Sequence, residues 1–253
     1  MTDADLARHA LSLLDLTDLS DQASETGVVQ LCARAVAPPG PVAAICIWPQ
    51  FVKVARQTLK ASPVRIATVV NFPAGGTDCG LIGGDIKEAI ADGADEIDLV
   101  LPWRAFLAGD VATATDMVAE ARAACHDRIL KVILETGEYP DQAAIRAASD
   151  LAIGSGADFI KTSTGKTRTS ATPDAARTML EAIAAAGRPV GLKPSGGLRT
   201  LADARTYLAL AEATMGTGWT TPATFRFGAS GLHGVLADVI AGTTPSERTD
   251  GAY

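Results

Sequence analysis

Lys161 and Lys193 are the residues whose surroundings point most directly to chemistry. Lys161 lies in Phe159-Ile160-Lys161-Thr162-Ser163-Thr164-Gly165-Lys166, and Lys193 in Gly191-Leu192-Lys193-Pro194. Each follows apolar, β-prone residues. A lysine inside a parallel strand that faced a helix layer would bury an ammonium at severe cost. Facing the axis of a barrel near its open end, it meets solvent and partners. Two such ammoniums repel, so the loss of one proton becomes easier. A lysine with an ordinary pKa of about 10.4 is neutral only about once in 2,500 molecules at pH 7, and lowering that value to about 7 costs roughly 4.6 kcal/mol. The neutral amine attacks a carbonyl and forms a Schiff base. Asp98 ends another apolar run and can shuttle protons through the carbinolamine steps. Asp15 is a candidate counter-ion that keeps Lys193 charged. In the competing reading, the lysines pair with carboxylates only to specify the fold, and Asp98 is a salt-bridged strand-end carboxylate.

A second chemistry is anion binding. Gly196-Gly197 and Gly228-Ala229-Ser230-Gly231 each precede a helical pattern. Glycines let backbone amides approach an anion, and helix N-termini favour negative charge. Lys166 and Arg199 add positive charge nearby. A plain turn is the alternative for either glycine pair.

These residues need elements to carry them. Eight β-rich runs recur: Leu13–Leu19, Val42–Trp48, Arg65–Phe72, Glu96–Leu101, Ile129–Thr136, Ala157–Ser163, Val190–Pro194 and Phe225–Ala229. Most are continuously apolar, as strands covered on both faces are. Their C-terminal ends are 23 to 34 residues apart, the length of a βα unit. Helical patterns fill the gaps. Thr172-Pro173 opens one that runs to Gly187, Thr200 with Asp203 forms a capping box, and Asp141–Ile153 and Thr115–Cys125 read the same way. Gly93-Ala94-Asp95 and Gly156-Ala157-Asp158 each suit a tight turn between helix and strand. The pattern predicts an α/β chain, a (β/α)8 TIM barrel. An open doubly wound sheet is the nearest competitor, and the GxGxxG turn of a dinucleotide fold is missing. Residues 1–12 add an N-terminal helix. Residues 1–253 read as a single barrel domain, with 243–253 a mobile tail.

Composition narrows the function classes. The net charge of −7 argues against a nucleic-acid partner. No apolar stretch is long enough for a membrane span and no signal core opens the chain, so a cytoplasmic location is expected. Cys32, Cys46, Cys79 and Cys125 form no CxxC pair, and His9, His126 and His233 are scattered, so no metal site is expected. The cysteines are expected as buried or half-buried free thiols.

Asp15-Leu16-Thr17, Ala44-Ile45-Cys46-Ile47, Ala67 through Pro73, Gly93 through Asp98, Lys131 through Gly137, Phe159 through Lys166, Gly191 through Gly197 and Arg226 through Ser230 together resemble deoxyribose-phosphate aldolase, a class I aldolase family. The segments run in order through nearly the whole chain, and Phe-Ile-Lys-Thr-Ser-Thr-Gly-Lys is a specific family motif. The resemblance implies reversible cleavage of 2-deoxy-D-ribose 5-phosphate into D-glyceraldehyde 3-phosphate and acetaldehyde. It implies Lys161 as the Schiff-base lysine, Lys193 as the lysine that eases its deprotonation, and Asp98 as the proton-transfer group. Asp15, Thr17 and Cys46 would lie beside the pocket. Gly165, Lys166, Gly196, Gly197, Gly228 and Ser230 would hold the phosphate. No metal or organic cofactor is implied, because the lysine supplies the electron sink. Family members also end in a tyrosine. A tail of eleven residues spans up to about 35 Å, enough for Tyr253 to relay a proton at the barrel mouth.

Two departures bear on phosphate recognition. Gly231 stands where the family often has a second serine, and Ala74 where it has a histidine. Cys46 is expected to be the thiol most open to entering aldehydes, without being a required nucleophile. Two alternatives stay open: another Schiff-base aldolase or transaldolase-like lyase, and a non-catalytic sugar-phosphate-binding barrel. The sequence leaves the oligomeric state open, a homodimer being one compatible arrangement.

Overall fold

Apolar β-runs and capped helices alternate through residues 2–244, the residues that the structure, a computed structural model, describes. The strands are β1 (Leu14–Asp18), β2 (Ala44–Ile47), β3 (Arg65–Val70), β4 (Glu96–Val100), β5 (Ile129–Ile133), β6 (Phe159–Lys161), β7 (Gly191–Lys193) and β8 (Phe227–Ala229). The helices are α1 (Asp3–Ser12), α2 (Glu25–Val36), α3 (Val52–Leu59), α4 (Cys79–Asp92), α5 (Trp103–Leu107), α6 (Val111–Cys125), α7 (Gln142–Gly154), α8 (Pro173–Ala185), α9 (Leu201–Met215) and α10 (Leu232–Ala241). Neighbouring strands are parallel, in the order β7-β6-β5-β4-β3-β2-β1-β8. Backbone bonds from Arg226 N to Leu192 O (3.0 Å) and from Gly228 N to Pro194 O (2.9 Å) close the ring. The expected (β/α)8 barrel forms, and its closure excludes the open sheet. Helix α1 is the expected extra element, packed on α10 and α9.

Local chemistry sets most boundaries. Thr2, Ser24, Asp78, Asp110, Asp141, Thr172 and Thr200 each accept a backbone N–H in the first turn of the helix they open. Helix α6 starts at Val111 rather than Thr115, because Asp110 caps it through Thr113 N at 3.1 Å. Strand β5 ends at Ile133, short of the expected Thr136, because Glu135 turns the chain with φ of 63°.

The two Gly-Ala-Asp turns do the same job twice. Gly93 and Gly156 adopt φ of 112° and 105°. Asp95 accepts Ile66 N at 2.9 Å and pairs with Arg56, while Asp158 accepts Leu130 N at 2.8 Å and pairs with Arg122 at 2.6 Å. Each aspartate thereby ties its own strand to the start of a neighbour at the N-terminal end of the barrel.

Along each strand, alternate residues face the helices and the axis. Leu14, Leu16, Ile45, Ile47, Ile97 and Leu99 join the large core beneath the helices. Leu19, Cys46, Ala67 and Val69 form a separate apolar cluster inside the barrel, joined by the half-buried Trp48 and Phe72. Among the described residues no helix is long and apolar enough to cross a membrane. The expected tail, apart from Thr243 and Thr244, lies outside the described residues.

Gly191 faces the axis below Lys193, where an added Cβ would lie 2.2 Å from the Phe159 ring. Gly191→Ala is therefore expected to cost about 2 kcal/mol through overpacking, lowering the melting temperature by about 4 to 8 °C. A thermal melt at wild-type temperature would refute this packing account.

Candidate active site

The axis of the barrel is charged. Asp15, Glu96, Asp98, Lys131, Lys161, Lys193 and Arg226 are all buried, none with more than 2% of its surface exposed. They form one connected network. Asp98 lies at its centre. Its Oδ2 accepts Lys161 Nζ at 2.9 Å and Lys193 Nζ at 2.8 Å, and its Oδ1 accepts Lys131 Nζ at 2.8 Å. Lys193 also meets Asp15 Oδ2 at 2.6 Å, and Lys131 meets Glu96 Oε2 at 2.5 Å. Arg226 spans Asp15 Oδ1 at 2.6 Å and Glu96 Oε1 at 2.9 Å. The strands set these pairings. Lys161 is in register with Lys193, and Asp98 with Lys131.

Charge counting distinguishes the lysines. Four buried cations share three buried carboxylates, so the buried set, fully ionised, carries one excess positive charge; the exposed Arg65 adds only a looser contact to Glu96 Oε1 at 3.6 Å. Lys131 and Lys193 each contact two carboxylates within 3 Å. Lys161 contacts one, on an oxygen already shared with Lys193. It is the least compensated ammonium of the set.

The titration directions agree with this wiring. Burial alone would push Asp98 up, but Lys131, Lys161 and Lys193 outweigh it and hold the carboxyl well below the usual range. Burial pushes the Lys193 ammonium down, but Asp15 and Asp98 outweigh it and hold the group well above its ordinary value. Asp15 is the counter-ion of Lys193 that the sequence suggests.

Other expected site residues fall into place with some corrections. Thr17 is buried on β1, and its hydroxyl donates to its own strand at Asp15 O, 2.8 Å away. Cys46 lies beside the network, with Sγ 4.0 Å from Asp98 Oδ2. It is fully buried under Trp48 and Phe72, so the expectation of an open thiol there is wrong; half-buried Cys79 is the more exposed one. Burial pushes the Cys46 thiol up. Gly165, Gly196 and Gly197 have φ between 79° and 83°, and Gly196 closes against Gly165 and Ser170. Lys166 Nζ has only a loose contact, 3.9 Å from the exposed Asp21. Gly228 lies within β8 rather than after it. Its amide is committed to Pro194 O, and a Cβ there would crowd Ser195 Oγ and Lys193 Cε. Ser230 and Gly231 lead into α10, whose first turn has no side-chain cap among the described residues. Tyr253 lies outside the described residues.

Lys131, Glu96 and Arg226 were missed as network members. Lys131 carries the same signal as Lys161, a lysine within an apolar strand, Ile129-Leu130-Lys131-Val132-Ile133. Two residues beyond each upper lysine, Ser163 and Ser195 have buried hydroxyls without a partner among the described residues.

A closed parallel barrel with buried lysines clamped by an aspartate on its axis is the architecture of a barrel aldolase. The chain is a member of the DeoC/LacD family of aldolases, whose model matches residues 10–230. It is 51% identical to a deoxyribose-phosphate aldolase of Agrobacterium fabrum over 97% of this chain and 95% of that protein. The fold superimposes with a TM-score of 0.88 on an apo-form crystal structure of a Toxoplasma gondii protein assigned as a deoxyribose-phosphate aldolase, at 26% identity, covering 96% of this chain and 99% of the other. A Coccidioides immitis structure with the same assignment gives 0.81 at 27% identity, covering 92% and 86%.

Removing Asp98 leaves three ammoniums without their shared carboxylate. Asp98→Asn is expected to lose about 3 to 5 kcal/mol of folding stability. Asp98 has a depressed folded pKa, so its contribution is present above the unfolded value of about 3.9 and fades as pH falls through the folded one. The penalty should thus be flat between about pH 5 and 8 and shrink below about pH 4. Urea melts of both proteins across pH check this; a penalty that grows in acid contradicts the assignment.

Proposed function

We propose that this aldolase reversibly cleaves 2-deoxy-D-ribose 5-phosphate to D-glyceraldehyde 3-phosphate and acetaldehyde through a Schiff base on Lys161. The observation that carries this reading is the charge imbalance. Within a network holding one excess positive charge, Lys161 has the weakest claim on a carboxylate. Its amine is the one least held by ion pairs and so the freest to meet a carbonyl carbon. The substrate follows from the Agrobacterium fabrum relative's name and the shared segments.

The chemistry runs as follows. The neutral Lys161 amine adds to the C1 aldehyde of the open-chain sugar, and loss of water gives an imine that takes up one proton from solvent to become the iminium. The C3 hydroxyl passes its proton to water, the C2–C3 bond breaks, and its electron pair moves into the enamine. D-Glyceraldehyde 3-phosphate departs with C3 as its aldehyde. Protonation at C2 and addition of water then release acetaldehyde and the amine. Asp98, 2.9 Å from Lys161 Nζ, is placed to exchange protons there. Lys193 stays an ammonium and keeps Asp98 ionised. Ser163 and Ser195 are suited to pair with sugar hydroxyls. The apolar cluster of Leu19, Cys46, Val69 and Phe72 suits the acetaldehyde methyl group.

The phosphate reading rests on the sixth, seventh and eighth loops. Gly165, Lys166, Gly196, Gly197 and Ser230 supply its amides, ammonium and hydroxyl, while Gly228 makes room for Lys193 and Ser195. Gly231 offers a backbone amide and no hydroxyl.

Borohydride trapping with acetaldehyde followed by peptide mapping tests the central claim. Label on Lys161 is expected, and Lys161→Arg should lose trapping and turnover together, because a guanidinium stays protonated. Label on another lysine, or substantial turnover by Lys161→Arg, overturns it. Lys193→Leu removes the excess positive charge, so the acid limb of its pH–rate profile should move to higher pH. A limb that stays in place rejects the electrostatic role of Lys193.

A further inference from the structure

Glu135 follows β5 at the same end of the barrel as Lys161. It is fully buried, and among the described residues no cation lies within salt-bridge reach of it. Its partners all come from the loop after β6. Oε1 accepts Thr164 N and Thr167 Oγ1, both at 3.1 Å, and Oε2 accepts Thr164 Oγ1 at 2.6 Å. Thr164 Oγ1 in turn accepts Lys166 N at 3.0 Å. One carboxylate therefore controls the backbone on both sides of Gly165, itself at φ of 83°.

Two further features show how firmly this arrangement is imposed. Glu135 adopts φ 63° and ψ 52°, a left-handed conformation unfavourable for a residue with a side chain. That conformation belongs to the turn that directs the carboxylate at the loop. Next along the chain, Gly137 meets Thr169 O so closely that a Cβ would lie 2.0 Å from it. The fifth and sixth loops are thus packed backbone to backbone. Gly196 of the seventh loop then closes against Gly165 and Ser170.

A buried carboxylate beside an anion site has the same sign of charge as the ligand. Among the described residues, however, the groups bonded to this carboxylate all donate to it, and charge-assisted bonds are about twice as strong as neutral ones. A neutral acceptor would hold the loop less firmly. We infer that Glu135 is a positioning residue for phosphate recognition: it locks Thr164-Gly165-Lys166 into the shape that presents backbone amides and the Lys166 ammonium to the substrate phosphate. This inference rests on the sugar-phosphate reading above and extends it to a residue outside the lysine network.

Acetaldehyde has no phosphate, so its capture on Lys161 reports the amine chemistry independently of the loop. In Glu135→Ala, the KM for 2-deoxyribose 5-phosphate and the inhibition constant of inorganic phosphate should both rise about tenfold, the effect of roughly 1.4 kcal/mol of lost interaction. The rate of acetaldehyde trapping on Lys161 should stay within about twofold of wild type. Glu135→Gln keeps an oxygen for Thr164 N and Thr167 Oγ1 but loses the charge, so both constants should fall between those of wild type and Glu135→Ala. If Glu135→Ala does not fold, Thr167→Val removes one clamp bond at a half-buried position and should raise the same two constants about threefold. Unchanged constants overturn the inference, as does a loss of trapping in step with the loss of phosphate affinity, which would mark a merely structural role. A wild-type enzyme that traps acetaldehyde yet gains nothing from a substrate phosphate overturns the sugar-phosphate reading itself.

Discussion

Asp98 is shared by three ammonium groups, and this one carboxylate constrains everything around it. An isolated buried charge would cost many kcal/mol. The network is tolerable because every cation has a carboxylate within 3 Å. It remains unbalanced because there are fewer carboxylates than cations. Adding a fourth carboxylate beside Lys161 would pair it as fully as Lys131. Removing Lys193 or Arg226 would relieve the same excess. The imbalance is held in place by the barrel, which fixes Lys161 and Lys193 in register on adjacent strands and brings Asp15, Glu96 and Arg226 in from β1, β4 and the start of β8.

Packing supports this arrangement by leaving things out. The strands that face the charged half supply small residues where a lysine stem must pass. Gly228 gives room to Lys193 and Ser195, and Gly191 to Phe159. The strands opposite, β2 and β3, contribute Cys46, Ala67 and Val69, which cannot stabilise charge. The interior is thus charged on one side and apolar on the other.

The barrel was legible because its signals are local. Apolar runs, Thr172-Pro173, the Thr200–Asp203 box and the Gly-Ala-Asp turns depend on residues close in sequence, and the structure keeps all of them. Lys161, Lys193 and Asp98 were legible for a related reason: a charge within an apolar strand has few places to go. Lys131 obeys the same rule, and Glu96 opens a strand in the same way. Their roles were hidden because partnership depends on register between strands, which no single segment reveals. Cys46 was misjudged for that reason too. Its position near a strand end suggested exposure, but it is buried in an apolar cluster against which Trp48 and Phe72 pack from two different strand ends, meeting edge to face at 5.5 Å. Glu135 is legible as a polar residue at the end of an apolar run, like Asp98, but its role is not, since residue type does not tell a left-handed glutamate from an extended one or show which loop it meets.

The two halves of the proposed site are built on different physical principles. The amine centre uses side chains rising from strands whose backbone is fixed by the ladder of the sheet, so its distances are set by register. The anion loops use backbone groups, and backbone amides point correctly only when φ and ψ are held. Gly165, Gly196 and Gly197 make the required angles accessible without fixing them. Something must therefore choose among the conformations those glycines allow. On the sixth loop that work falls to Glu135, a strained residue on a neighbouring loop, whose three bonds replace the ladder that the loop lacks. The permissive residues and the restraining one are complementary, and either without the other would leave the loop unable to present a defined set of donors.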